Sequence, residues 1–230
     1  MKHIGLLLLG MLFFSFSKSQ QVEGAFLGKH EGINHLILLK NGYCSYTQYK
    51  EDAFICTFGG PYFLENGTLT IDLEYDTKDA SKVGTKRSLK ANLSNDKNHI
   101  DGDGISWKRE KTHLQDLDGL WRITGRKVDD QVNEIPWGDR KTIKLLVDGY
   151  FQWMAINPKE KGFFGSGGGR YTFSNKKYTE NILFFSRDDS RVGAELPFEG
   201  ELVDGKWHHG GLSSTGDPIF EVWSKDNGSN

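Results

Sequence analysis

An internal repeat constrains this chain more than any other feature of its sequence. Residues 38–43 (LLKNGY) recur about 107 positions later as residues 145–150 (LLVDGY). Residues 59–63 (GGPYF) recur about 109 positions later as residues 168–172 (GGRYT). The near-constant offset indicates that one structural unit occurs twice, and it allows each position of one copy to be compared with its counterpart in the other.

Alternating apolar and polar residues dominate both copies, a pattern typical of half-buried β-strands. Pairs such as Asn41-Gly42 separate the alternating runs and favour two-residue hairpins, and the chain holds 28 glycines but only 5 prolines. About eight strands per copy need their edges covered, which closure into a barrel achieves. We therefore predict an all-β chain of two tandem small antiparallel eight-stranded barrels, over residues 20–110 and 117–226, joined by a linker at 111–116. The alternative is that the two copies merge into one larger sheet structure.

The first 19 residues have the features of a signal peptide. Lys2 and His3 precede an apolar run over residues 4–16, and Ser17-Lys18-Ser19 then place small serines at the positions that a signal peptidase reads. The run is too short and wrongly flanked for a membrane span, and no later segment is apolar enough to cross a bilayer. We expect cleavage near Ser19 and a mature chain that is periplasmic or secreted.

Charge and cysteine content restrict the partners and the covalent links. The chain has 29 basic and 31 acidic residues with no long block of one sign, so we expect no nucleic-acid partner. Cys44 and Cys56 flank a turn at residues 50–53 and are predicted to meet across a hairpin. An oxidising compartment favours a disulfide between them, and the alternative is a pair of buried thiols.

Five short motifs mark the second copy. They are GLW at 119–121, GGGRY at 167–171, YTE at 178–180, GKWHH at 205–209 and EVW at 221–223. Through these motifs residues 117–225 resemble the lipocalin-like domains found in exported proteins of Bacteroidetes-type bacteria. The first copy departs from the pattern, with Phe26 in place of the Trp and Leu69-Thr70-Ile71 in place of Tyr-Thr-Glu. The resemblance implies a calycin-type barrel with a cavity for a small molecule.

Strand alternation places a carboxylate inside the second barrel. Tyr178, Glu180, Ile182 and Phe184 share one face of a strand, and the first copy has apolar residues at the inward-facing counterparts, with Ile71 in place of Glu180. Burial of an ionised carboxylate costs several kcal/mol unless it is paired or hydrogen-bonded. Glu180 therefore needs partners. The candidates are Arg170, Tyr171, Trp207 and His209.

The inward faces of the second copy combine aromatic and polar side chains, as small-molecule cavities do. The predicted ligand-binding residues are Trp153, Arg170, Tyr171, Tyr178, Glu180, Trp207, His209, Glu221 and Trp223. Extra residues at 128–137 could form a lid. We expect no metal and no cofactor, because His208 and His209 face opposite sides of a strand and the glycines at 165–169 precede a strand rather than a helix.

Three functions are consistent with this pattern. The leading hypothesis is a non-enzymatic exported protein that binds a small, partly apolar ligand, with Glu180 and His209 as polar anchors. The alternative is an enzyme, an isomerase or hydrolase, that uses Glu180 and His209 as acid and base. A third hypothesis is an interaction module with solid barrels. In each case the buried polar groups could also form a purely structural network.

Overall fold

A computed structural model describes residues 22–111, 113–129, 131–212 and 216–226 of the chain. The predicted all-β class is confirmed, since the helical elements in these ranges are three short 3₁₀ turns at Ala80–Lys82, Pro158–Glu160 and Asp189–Arg191. The strands form one nearly closed and one closed antiparallel barrel, as two tandem barrels require. The predicted signal peptide lies outside the described residues, and no helix within them is long and apolar enough to span a membrane.

Barrel 1 is built from the first copy of the repeat. Its strands are β1 (Gly24–His30), β2 (Ile33–Lys40), β3 (Tyr43–Tyr49), β4 (Phe54–Glu65), β5 (Thr68–Asp72), β6 (Tyr75–Asp76), β7 (Lys86–Lys90), β8 (Asn92–Leu93), β9 (His99–Gly102) and β10 (Ile105–Arg109). Sequential neighbours pair from β1 to β5, and β10 returns to pair with β1. β7 and β8 are nearly continuous, with β7 pairing to β5 and β8 to β9, so the barrel is nearly closed.

Barrel 2 is built from the second copy and closes fully. Its strands are β11 (Gly119–Val128), β12 (Gln131–Glu134), β13 (Lys141–Val147), β14 (Tyr150–Asn157), β15 (Gly162–Ser174), β16 (Lys177–Phe185), β17 (Glu195–Val203), β18 (Lys206–Leu212) and β19 (Pro218–Lys225). Eight of them run round the barrel, and β11 pairs with both β13 and β19 to close it. The ninth, β12, extends β11 as a hairpin at the mouth of the barrel.

The predicted Asn-Gly hairpins form as expected. Asn41 and Asn66 have positive φ angles of 50° and 49°, and Asp148 has 50° at the position equivalent to Asn41. Each is followed by a glycine that also has positive φ. Two successive left-handed residues suit the twist of a tight hairpin, and Asn, Asp and Gly tolerate that conformation best.

The predicted disulfide is wrong, because Cys44 and Cys56 are both free, buried thiols. In the β3–β4 ladder Cys44 lies opposite Gly60, whereas Cys56 lies opposite Gln48. The two cysteines are thus displaced by four ladder positions, at roughly 3.4 Å per residue, which exceeds the span of a disulfide. The prediction assumed that the two cysteines are equally far from the turn of the hairpin. The turn is instead centred about two residues later in the chain.

A β-bulge changes which face of β16 points into barrel 2. The β15–β16 register shifts between Gly168 and Gly169, leaving Leu183 without a partner in the ladder. One extra residue reverses the alternation beyond it. The predicted inward position of Phe184 is therefore wrong: Phe184 packs between the barrels, and Phe185 joins the interior of barrel 2.

The two barrels pack side by side through a buried apolar face. Its members come from equivalent positions of the two copies, such as Leu36, Leu38, Tyr43 and Tyr75 in barrel 1 and Ile143, Leu145, Tyr150 and Phe184 in barrel 2. The same surface of each copy therefore contributes, as in a two-fold symmetric dimer. The interior of each barrel is a separate apolar cluster.

Gln152 makes four hydrogen bonds within this interface. Its Oε1 accepts from Ser45 Oγ at 2.5 Å and from Thr47 Oγ1 at 2.9 Å. Its Nε2 donates to Thr57 Oγ1 at 3.0 Å and to Ser166 Oγ at 2.9 Å. Because all five side chains are buried, these bonds satisfy groups that would otherwise be costly to desolvate.

Candidate functional site

Barrel 2 contains a cavity of about 450 Å³ near the end of the barrel where the hairpin β11–β12 lies. Its apolar wall is formed by Trp153, Ile182, Phe185, Leu196, Phe198, Leu212, Ile219 and Trp223. Its polar groups are Arg126, Thr142, Lys144, Glu180, His209, Asp217 and Glu221. An apolar wall with a few convergent polar groups is the usual composition of a small-molecule site.

A buried ion pair joins two strands in the cavity wall. Lys144 Nζ of β13 lies 2.8 Å from Glu180 Oε1 of β16, and each side chain is 6% exposed. Tyr178 Oη donates to the same Oε1 at 2.8 Å. Because Tyr178 and Glu180 are two residues apart on one strand, they point to the same side of the sheet. Glu180 thus has the partners that a buried carboxylate requires.

Aromatic rings surround the ammonium group of Lys144. Its Nζ lies 5.1 to 5.3 Å from the ring centroids of Tyr178, Trp207 and Trp223, and 5.7 Å from that of Phe151. These distances fall within the range in which a ring face attracts a cation. The rings and Glu180 together hold the ammonium in place at the base of the cavity.

A second polar group centres on Glu221 of β19. Arg126 donates to Glu221 Oε1 at 2.9 Å, and Trp223 Nε1 donates to Oε2 at 3.2 Å. His209 Nδ1 lies 3.5 Å from Oε2. Burial alone would raise the pKa of Glu221, but its contacts with His209, Lys144 and Arg126 outweigh burial and hold that pKa at about 2. Glu221 is therefore ionised at neutral pH.

His209 is uncharged at neutral pH, where Glu221 is ionised. Burial lowers the pKa of the imidazole, and the nearby Lys144 lowers it further, against the opposing effect of Glu221. Neither ring nitrogen has a hydrogen-bond partner among the described residues. The ring packs against Phe198 and Trp207, with centroid distances of 4.4 and 5.1 Å.

Four polar residues of the cavity wall have uncharged counterparts in barrel 1. The register of the two sheets aligns Lys144 with Ile37, Glu180 with Ile71, His209 with Gly102 and Glu221 with Ile105. Ile37 and Ile71 belong to the apolar core of barrel 1. The same fold thus occurs in this chain with and without the polar groups.

Five predicted site residues line the cavity. They are Trp153, Glu180, His209, Glu221 and Trp223. Tyr178 and Trp207 are fully buried behind them and contact the ion pair rather than the open space. Tyr171 is buried too, but its hydroxyl donates to Asp118, which directly precedes β11.

The prediction that Arg170 faces Glu180 is wrong. Arg170 is exposed, pairs with Glu110 at 2.7 Å and stacks over the ring of Tyr150. It neighbours the buried Tyr171 on β15, and successive residues of a strand point to opposite faces. The ion-pair partner of Glu180 is Lys144, which the sequence analysis did not identify.

Lys144 and Arg126 were missed for different reasons. Lys144 sits in the run KTIKLL, where a lysine suggests a solvent-facing position, yet the repeat places it against the apolar Ile37. That comparison, which identified Glu180, would also have identified Lys144. Arg126 lies beyond the bulge between Ile123 and Gly125, so alternation along β11 does not reveal its direction.

Exposed apolar side chains occur in the hairpin of β11 and β12, after it, and at the end of β18. Val128 and Val132, in the hairpin of β11 and β12, are 51% and 50% exposed, and Trp137 after β12 is 52% exposed. Leu212, at the end of β18, lines the cavity and is 58% exposed. The described residues predicted as a lid thus belong to the β11–β12 hairpin and to the segment after it, where Trp137 packs on Arg122 and does not line the cavity.

No protein-family model matches the chain, and no curated protein matches it significantly.

Proposed function

We propose that this protein is an exported, lipocalin-like binding protein that holds a small, partly apolar molecule in the cavity of barrel 2. The observation that carries the proposal is the difference between the copies. In barrel 2, a cavity is surrounded by Lys144, Glu180, His209 and Glu221. The equivalent residues of barrel 1 are Ile37 and Ile71, which belong to its core, and Gly102 and Ile105.

Energetics support a functional reason for this difference. Replacement of a buried ion pair by apolar residues of similar size is often neutral or stabilising. The isoleucines of barrel 1 indicate that this fold can be built without Lys144 and Glu180. The polar groups of barrel 2 are therefore better explained by the recognition of a molecule than by the needs of folding.

The apolar wall supplies affinity in this proposal, and the polar groups supply orientation. Trp153, Phe185 and Trp223 offer ring surface to an apolar body, and burial of apolar area contributes about 25 cal/mol per Å². Glu180 and His209 lie at one side of the same cavity and would align the polar end of the molecule.

A second candidate is an acid–base enzyme, which one observation favours. His209 is neutral and lies 3.5 Å from the ionised Glu221, the arrangement of a base oriented by a carboxylate. In this candidate the partner of His209 is Glu221, while Glu180 is held by Lys144. The interaction-module hypothesis required a filled interior and is less well supported, because barrel 2 has a cavity.

A ligand screen tests the proposal. Metabolites and lipids are added to the mature protein, and the melting temperature is followed. We expect a subset to raise it, with a smaller shift for Glu180→Gln and an unchanged shift for Glu201→Gln, whose carboxylate pairs with Lys176 outside the cavity. If no compound raises the melting temperature, the binding proposal fails.

Mass spectrometry of each bound compound separates the two candidates. A ligand recovered unchanged after long incubation supports binding. Conversion to a product, with loss of conversion in His209→Gln and retention in His208→Gln, would favour the enzyme instead.

A further inference from the structure

Glu180 has one carboxylate oxygen available to a molecule in the cavity. Both of its hydrogen bonds from described residues, from Lys144 and Tyr178, reach Oε1. Oε2 receives none within the described part of the chain, and Glu180 forms part of the cavity wall. An ionised carboxylate only accepts hydrogen bonds. A molecule that contacts Glu180 Oε2 should therefore present a hydrogen-bond donor to it.

His209 presents a second acceptor. Nδ1 is the ring nitrogen nearest the Glu221 carboxylate, at 3.5 Å, and a carboxylate that only accepts favours the tautomer with the proton on Nδ1. Nε2 then carries a lone pair. It is buried, and no described residue donates to it.

The two cationic side chains of the cavity wall each pair with a carboxylate. Lys144 donates to Glu180 and otherwise faces aromatic rings. Arg126 and the indole of Trp223 both donate to Glu221. None of these bonds reaches Glu180 Oε2 or His209 Nε2, and Thr142 adds a hydroxyl that can donate or accept.

The charges of the wall disfavour an anion. Its two cationic side chains, Arg126 and Lys144, are each paired with a carboxylate, Glu221 and Glu180, so these two ion pairs are balanced while His209 is neutral. A ligand carboxylate would add a further negative charge in a partly desolvated site. A ligand ammonium would lie near Lys144 and Arg126 and would lose its own hydration.

We propose that the cavity selects an uncharged molecule with a hydrogen-bond donor, a hydroxyl or an amide N–H, on an apolar body, and that it discriminates against carboxylates of the same size. This inference rests on the proposed binding function. A cavity of about 450 Å³, at about 30 Å³ for each small group, holds on the order of fifteen non-hydrogen atoms. A medium-chain alcohol fits this description.

A matched series of single-chain compounds tests the inference. 1-Decanol, the methyl ether of 1-nonanol, decanoate and decylammonium are titrated into the mature protein at pH 8, with binding followed by calorimetry and by tryptophan emission. Trp153 and Trp223 lie in the cavity wall and report its occupancy. We expect the alcohol to bind at least about tenfold more tightly than the ether, which cannot donate, and than either ion.

Variants locate the effect at the two acceptors. Glu180→Gln and His209→Phe should each reduce the preference for the alcohol over the ether by about threefold to tenfold, while Glu201→Gln should leave it unchanged. Circular dichroism confirms that each variant is folded, and Thr142→Ala offers a milder change in the same wall.

The outcomes separate this inference from the function on which it rests. If no member of the series binds and the wider screen also finds no ligand, the proposed binding function is overturned. If decanoate, decylammonium or the ether binds as tightly as the alcohol, the binding function stands and the preference for an uncharged donor is wrong.

Discussion

Individual residues in barrel 2 form two charge-balanced groups rather than one catalytic cluster. Lys144 neutralises Glu180 at 2.8 Å, and Arg126 neutralises Glu221 at 2.9 Å. His209 stays uncharged beside Glu221 because burial opposes its protonation. Because each cation is paired with a carboxylate, the apolar wall holds these polar groups without an uncompensated buried charge, which would be costly to desolvate.

Removal of one partner of the buried ion pair should destabilise the protein, and removal of both should not. Lys144→Ile leaves Glu180 without its cation and should lower the free energy of unfolding by about 3–5 kcal/mol. The double variant Lys144→Ile/Glu180→Ile reproduces the pair found in barrel 1 and should recover most of that loss. Urea unfolding of the two single variants and the double variant measures the coupling. Additive losses in the double variant would contradict the comparison between the copies.

The stability should fall as the pH falls below about 6.5 because of His209. Burial lowers the pKa of His209 below its ordinary value of 6.5, so the unfolded chain binds a proton that the folded protein resists. The contribution of His209 is fully present above pH 6.5 and is lost as the pH drops towards the folded-state pKa.

Urea unfolding between pH 8 and pH 5 measures this dependence. His209→Gln should flatten part of the slope, whereas His208→Gln should retain it. A residual slope is expected because burial also lowers the pKa of His35. Equal slopes for the wild type and His209→Gln would show that His209 does not titrate in this way.

At the residue scale, the sequence revealed the site where the repeat gave a direct comparison. Glu180 was found because the aligned Ile71 is apolar, and alternation correctly placed His209 and Trp223 inside. Arg170 was placed wrongly, because its selection relied on charge complementarity to Glu180 and not on its position beside Tyr171. Charge complementarity suggests partners, but the pleat of the strand decides which side chains meet.

At the element scale, bulges set the limit of prediction by alternation. Most strand positions follow from the alternating pattern and the Asn-Gly turns. The residues beyond a bulge do not, as Phe184 and Phe185 show, because one extra residue inverts every later position. The short strand β12 was also missed, since it belongs to a hairpin that the first copy lacks.

Gly169 of β15 lies opposite the bulge in β16, and its replacement should disrupt barrel 2. A Cβ at this position would collide with the backbone carbonyl oxygen of Asn181 on the neighbouring strand. Gly169→Ala should therefore lower the free energy of unfolding by about 2 kcal/mol or more. Gly138→Ala is the matched control, because no atom lies within 4 Å of a Cβ built there. A Gly169→Ala protein as stable as this control would show that the strands can separate at low cost.

At the scale of the whole molecule, the repeat supplies both faces of the interface between the barrels, and it allows their residues to be compared position by position. Barrel 1 contributes the surface on which β13 and β14 of barrel 2 pack, and these strands also carry Lys144 and Trp153 into the cavity. Burial of equivalent residues from both copies ties the stability of one barrel to that of the other. The duplication was readable in the sequence, but the shared interface was not, because its residues resemble those of either interior.

We therefore expect the two barrels to unfold together. Five of the six tryptophans belong to the second copy, whereas both cysteines belong to barrel 1. Tryptophan emission thus reports mainly on barrel 2, and the reactivity of the buried thiols reports on barrel 1. In urea, the two signals should change at the same midpoint for the wild type.

Gln152→Ala provides the sharper form of this experiment. The change removes four hydrogen bonds that involve Ser45, Thr47 and Thr57 of barrel 1 and Ser166 of barrel 2. At about 0.5–1.5 kcal/mol for each bond, it should lower the free energy of unfolding by about 2–6 kcal/mol and shift both midpoints equally. If only the tryptophan midpoint moves, barrel 1 is stable without its partner, and the apolar face between the barrels does not couple them.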